Sequence, residues 1–138
     1  MHRHGVQQRK LSRARNQREA LVRGQLTSLV LHEAIVTTEA KAKTVAPEFD
    51  KLVTRAKRAD LAAARAIRAI LTTENAVAKL QTELVPAFAE RTSGYTRQVK
   101  LEPRLGDGAA MVQLSLVLPA AKPAAVVPAE AKEKEAAK

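Results

Sequence analysis

The spacing of apolar residues changes once along this chain, and that change restricts the fold more than any other feature. Up to about Phe88 aliphatic residues recur at helical intervals; from Tyr95 onward they alternate with polar ones. Such a pattern makes several helices first and a hairpin last, as in an α+β domain. A first helix is expected from about Ser12, a candidate N-cap, to Leu31, with Leu21, Val22, Leu26, Leu29 and Val30 on one broad face. Ala34–Thr37 is short and β-branched and reads as a strand. Thr37 or Thr38 then caps a second helix with Glu39 in its first turn, and Ala42, Val45, Phe49, Leu52, Val53 and Ala56 carry its apolar face through residue 58. Pro47 predicts a kink or a restart within it.

Asp60 is placed to cap a third, Ala-rich helix over 61–71. Thr72 or Thr73 caps a fourth, marked by Val77, Leu80, Leu84 and Phe88 and limited near its end by Pro86. Beyond turn residues 91–94, Tyr95, Arg97, Val99 and Leu101 share one face of a strand. A second alternating run, Ala110 to Leu118, follows the loop Pro103 to Gly108. The expected order is α-β-α-α-α-β-β, with helices packed on a small, mostly antiparallel sheet. Residues 1–11 read as an extended basic arm, 12–118 as one α+β domain, and 119–138 as a disordered tail of Ala, Lys, Glu and Pro.

Charge narrows the function. Lys and Arg number 24 against 14 Asp and Glu, a formal net charge of +10. Seven of those cations fall within residues 1–23, against Glu19 alone. A concentrated basic terminus suits a polyanionic partner, meaning nucleic acid or an anionic membrane surface. On a helical wheel Arg15 and Arg18 share the face of Leu26 and Leu29, so the stripe passes from guanidinium to aliphatic along one axis. The second half is therefore expected to pack on the domain while the first half projects towards something anionic. The lysines and arginines of the second helix (Lys41, Lys43, Lys51, Arg55, Lys57 and Arg58) read as a solvated face.

Other classes fit less well. Membrane insertion lacks the run of ~18–20 apolar residues it requires, and a surface-bound helix would need the leucines that the core takes. An organellar transit peptide would be serine-rich, whereas Ser12 is the only serine of the basic segment. Aromatic residues make up 2% of the chain, which disfavours base stacking on aromatic platforms. Cysteine is absent, so no thiolate metal site or cysteine nucleophile exists. His32-Glu33 begins a zinc-protease motif, but position 36 is Val rather than His. Phosphate-binding glycine loops and nucleophile elbows are missing from the sequence. The expectation is a non-enzyme without cofactor or metal. A free-standing regulator or DNA-compacting protein would use the same charge and is the rival reading.

Four stretches carry a family resemblance. They are His4-Gly5 with Arg9-Lys10-Leu11-Ser12-Arg13; Arg18-Glu19-Ala20-Leu21-Val22-Arg23 with Leu26 to Leu29; Glu33 to Thr38 leading to Ala40-Lys41-Ala42-Lys43 and Pro47; and Gly94-Tyr95-Thr96-Arg97 with Lys100-Leu101, Arg104, Gly106-Asp107 and Met111. In this order the chain resembles protein seventeen of the bacterial-type large ribosomal subunit. It departs from that family's usual pattern at Gln17, Gly24 and Leu105. The resemblance implies a structural constituent of the large subunit, bound to its ribosomal RNA near the peptide exit tunnel beside neighbouring ribosomal proteins. The expected location is the cytoplasm, on ribosomes of bacterial type. Candidate RNA-contacting residues are Arg3, His4, Arg9, Lys10, Arg13, Arg15, Arg18 and Arg23, with Tyr95 and Arg97 as a second group. For Arg97 a plain strand-edge charge is the alternative.

Overall fold

In the computed structural model, which describes residues 9–118, the helical and alternating segments fold against each other. Helix α1 spans Arg15–His32, β1 Ala34–Thr38, α2 Glu39–Ala56, α3 Leu61–Ile70 and α4 Glu74–Lys79. A π-helical turn, Leu80–Leu84, and the short α5, Val85–Ala87, prolong α4; β2 is Thr96–Lys100 and β3 Met111–Leu116. The expected α+β class and element order hold. The three strands run in the order β1-β3-β2, and both pairings are antiparallel. The last strand therefore lies in the middle, bonded to its hairpin partner on one side and to β1 on the other. Residues 1–8 of the expected arm and the expected tail, 119–138, lie outside the described residues.

Several boundaries differ from expectation for identifiable reasons. Ser12 is not the N-cap of α1. Leu11 and Ser12 both adopt left-handed backbone, φ 52° and 50°, turning the chain before the helix begins at Arg15 with Ala14 as cap. Nor does Pro47 break α2, which is continuous from Glu39 to Ala56. A proline at 47 costs the bond to the carbonyl of Lys43. Both residues are exposed, so solvent can satisfy that carbonyl. Asp60 does cap α3, its carboxylate accepting from the backbone N–H of Ala63. Pro86 acts earlier than expected. Its ring excludes the carbonyl of Thr82 from α-helical register. The chain slips into a π turn, with Val85 N–H donating to the carbonyl of Leu80.

The core lies between α2 and everything else. Ala42, Val45, Phe49, Leu52, Val53 and Ala56 form its buried stripe. It meets Leu26, Leu29 and Val30 of α1, Ile67 of α3, Leu80 and Leu84 of the π turn, and Val112 and Leu114 of β3. All three aromatic rings gather here: Phe49 meets Phe88 edge-on at 6.4 Å, and Phe88 lies 4.9 Å from Tyr95. Cross-strand partners share a face of the sheet, so Ile35 and Thr37 line up with Leu114 and Val112 towards the helices. The opposite face carries Val36, Arg97, Val99, Gln113 and Ser115, with Val36 and Val99 exposed. Tyr95 does not join Arg97 and Val99 on that face, because it precedes the strand and turns into the aromatic cluster.

At the end of α1, Glu33 takes left-handed backbone, φ 63°, a conformation usually left to glycine. Its neighbours hold it there. Lys79 pairs with the Glu33 carboxylate at 2.7 Å and donates to the carbonyl of Leu31 at 2.9 Å. The backbone N–H of Leu116 donates to the Glu33 carbonyl at 2.8 Å. In the β2–β3 loop, Arg104 grips Asp107 through two bonds, 3.0 and 2.5 Å, across a turn with glycines 106 and 108 at positive φ.

Two outcomes follow from this packing. Phe88→Ala, which removes the ring central to the aromatic cluster, is expected to destabilise the domain by about 3–5 kcal/mol in urea unfolding. The Arg104 bond holds the Asp107 carboxyl down at about 2, against an ordinary value of 3.8. A depressed carboxyl stabilises the fold above the ordinary value and loses that contribution as pH falls through about 2. Carboxyl NMR titration should place the Asp107 midpoint there, and Arg104→Gln should return it towards 3.8.

Candidate nucleic-acid interface

Helix α1 is divided along its length as the sequence suggests. Leu26, Thr27, Leu29 and Val30 are buried in its second half, while Arg15 and Arg23 are exposed and Arg18 half-exposed in its first. The physical cause is the stripe itself: it offers aliphatic groups in the second half of the helix and guanidinium groups in the first.

A groove of about 570 Å³ runs between the two helices. Arg18 and Arg23 of α1 form one wall, and Lys43, Lys51 and Arg55 of α2 the other, with Arg9 at its mouth. Two carboxylates, Glu19 and Glu48, also line it. Each is engaged locally, Glu19 by Arg15 at 2.9 Å and Glu48 by Lys51 at 2.9 Å. Lys43 pairs with Glu39 at 2.5 Å. These hydrogen-bonded cations hold the Glu19 and Glu39 carboxyls below their usual range, with Arg18 and Arg23 adding a smaller effect on Glu19. Among the described residues, Arg18, Arg23 and Arg55 have no carboxylate partner within 4.0 Å. Their charge is available to an anion.

The remaining candidates are distributed differently. Arg3 and His4 lie outside the described residues. Lys10 and Arg13 are exposed ahead of α1, the Arg13 guanidinium donating to the carbonyl of Leu11 at 3.1 Å. Arg15 is exposed and tied to Glu19. Arg97 stands on the outer face of the sheet, opposite Ser115. Tyr95 must be reassigned to the core. It is 1% exposed, its hydroxyl donates to the carbonyl of Arg91 at 3.2 Å, and its ring lies against Phe88, so no face remains for a base.

The second-helix cations also separate. Lys57 is not part of a solvated face. It donates to the carbonyls of Phe88, at 2.6 Å, and Arg91, and its ammonium sits 5.0 Å over the Tyr95 ring. Lys43, Lys51 and Arg55 line the groove instead. Their spacing of four or eight residues places them on one stripe with Pro47, a signal present in the sequence. Nothing in the spacing says that this stripe faces the arginines of α1. No group of three or more acidic or histidine side chains suited to a metal occurs among the described residues, and no described helix is long and apolar enough to cross a membrane.

The amino-acid sequence itself matches a known family. A profile described as ribosomal protein L17 matches residues 21–117. The chain belongs to this family. It is 47% identical over 109 residues to large ribosomal subunit protein bL17 of Desulfitobacterium hafniense, covering 79% of this chain and 97% of that one. The protein of that name from Clostridium botulinum is 46% identical over 79% of this chain and 96% of its own. That of Exiguobacterium sibiricum is 44% identical over 78% and 97% respectively. The L17 match runs from the middle of α1 past the end of β3, so it takes in both walls of the groove at Arg23, Lys43, Lys51 and Arg55.

Reassigning Tyr95 has a direct consequence. Tyr95→Phe should lower stability in urea unfolding by about 1 kcal/mol, the value of one intramolecular hydrogen bond.

Proposed function

We propose that this protein is a structural constituent of the large ribosomal subunit that binds and stabilises the subunit's RNA through its basic N-terminal arm and first helix. The observation that carries the reading is the division of α1: a buried aliphatic second half and a first half bearing the exposed Arg15 and Arg23 and the half-exposed Arg18. Membership of the L17 family supports it, as do relatives named for the large ribosomal subunit.

The mechanism is electrostatic and non-catalytic. RNA helices that must approach one another repel through their phosphates, and an inserted basic segment neutralises both sides. Arginine suits the task because its planar fork grips two phosphate oxygens and can lie against a base. The seven cations of residues 1–23 supply the charge. The partners are large-subunit ribosomal RNA and neighbouring ribosomal proteins, the position is near the peptide exit tunnel, and the compartment is the cytoplasm. The role in translation is to hold RNA in place.

If six residues of the arm and first helix meet phosphates, log affinity for large-subunit RNA should fall against log salt with a slope of roughly −5. Deleting residues 1–18 should flatten the slope sharply while the domain keeps its cooperative melt. An unchanged slope would place the contacts elsewhere. In a lysate fractionated in magnesium buffer, the full chain should sediment with large subunits; sedimentation with chromosomal DNA would favour the DNA-compacting alternative.

A further inference from the structure

The groove between α1 and α2 has more chemistry than a phosphate cradle needs. The apolar part of its lining, its floor, is the half-buried Val22 and Ile70 and the exposed Pro47, with the buried Leu26 behind them. Its rims carry Arg18 and Arg23 from α1 and Lys51 and Arg55 from α2, with the carboxylates Glu19 and Glu48 held by Arg15 and Lys51. A regular RNA helix passing over the opening would touch the rims and leave the floor wet. A base turned out of its stack is a flat body with apolar faces, flanked on either side by a backbone phosphate, and it matches the floor and both rims at once. The groove volume, about 570 Å³, is typical of concave sites for small ligands.

We infer that the groove receives a single nucleotide extruded from an RNA helix, its base on the aliphatic floor and its neighbouring phosphates on Arg18 and Arg23 of one rim and Lys51 and Arg55 of the other. The inference rests on the RNA-binding reading and adds a second, shape-selective site to the basic arm. All three aromatic rings are buried in the core, so the base is held by aliphatic contact and by guanidinium planes, which stack on bases. Arg9, from the basic segment ahead of α1, lines the same groove and adds a further cation to it.

The test uses the full chain and two RNA hairpins of identical stem, one fully paired and one with a single bulged 2-aminopurine. The bulged hairpin should bind roughly tenfold more tightly, a difference of about 1.4 kcal/mol, and the 2-aminopurine emission should change with the same saturation. Combining Lys51→Ala with Arg55→Ala, both exposed positions, should reduce the preference to about one. Affinity for the paired hairpin, which meets the rims alone, should fall by less than affinity for the bulged one, with an unchanged melting curve. Arg55→Lys alone should retain most of the preference. Equal binding of the two hairpins, unaltered emission, or a preference that survives the double substitution would overturn the groove assignment while leaving RNA binding intact. Failure of both hairpins to bind at low salt would remove the broader reading with it.

Discussion

The fold depends on one buried stripe. Six residues of α2, from Ala42 to Ala56, are removed from solvent, and α1, α3, the π turn and the sheet pack around them. Burial of this kind is non-directional, so the partners could be assembled in several ways; the specific pairings come from the shapes around Phe49 and from the aromatic contact of Phe88 with Tyr95. The helix has only one such stripe. Its opposite side remains in water and is free to carry Lys43, Lys51 and Arg55. The cations that line the groove thus sit on the helix that organises the core.

The same residue type serves two ends, separated by surroundings. Lys57 and Lys79 donate to backbone carbonyls at the ends of helical segments, over the Tyr95 ring and beside Glu33 respectively. Lysine bonded in this way binds the protein to itself. Lys43 and Lys51 are partly neutralised by carboxylates one helical turn away, pairs that contribute little to stability at an exposed surface. Among the described residues Arg18, Arg23 and Arg55 lack such partners and line the same groove. Bringing them together raises mutual repulsion in the isolated protein, and a polyanion relieves it.

Much of this was readable in the residues. The burial of Leu26, Leu29 and Val30 with exposure of Arg15 and Arg23 follows from one helical face changing chemistry along its axis. The Asp60 cap and the hairpin around Gly106 and Gly108 rest on local rules whose causes lie within a few residues. Pro47 misleads because the local rule omits where the proline faces: on the solvent side of α2 the lost bond is tolerated. Pro86 misleads in the opposite sense, bending the hydrogen-bond register upstream into Leu80–Leu84. Tyr95 shows the limit most directly. Two residues before Arg97 in the chain it reads as a contact residue, yet the contact with Phe88 and the carbonyl of Arg91 takes it into the interior.

Sequence alone determined which residues form helices, which form strands, where the positive charge concentrates and which family the chain resembles. These properties arise from interactions over one to four residues or from simple counting. Tertiary structure decided that β3 lies between β1 and β2, that Lys57 and Lys79 are fasteners, and that the basic stripes of α1 and α2 confront each other across one groove. Each of these joins residues far apart in the chain, and their proximity exists only after the α2 stripe has been buried.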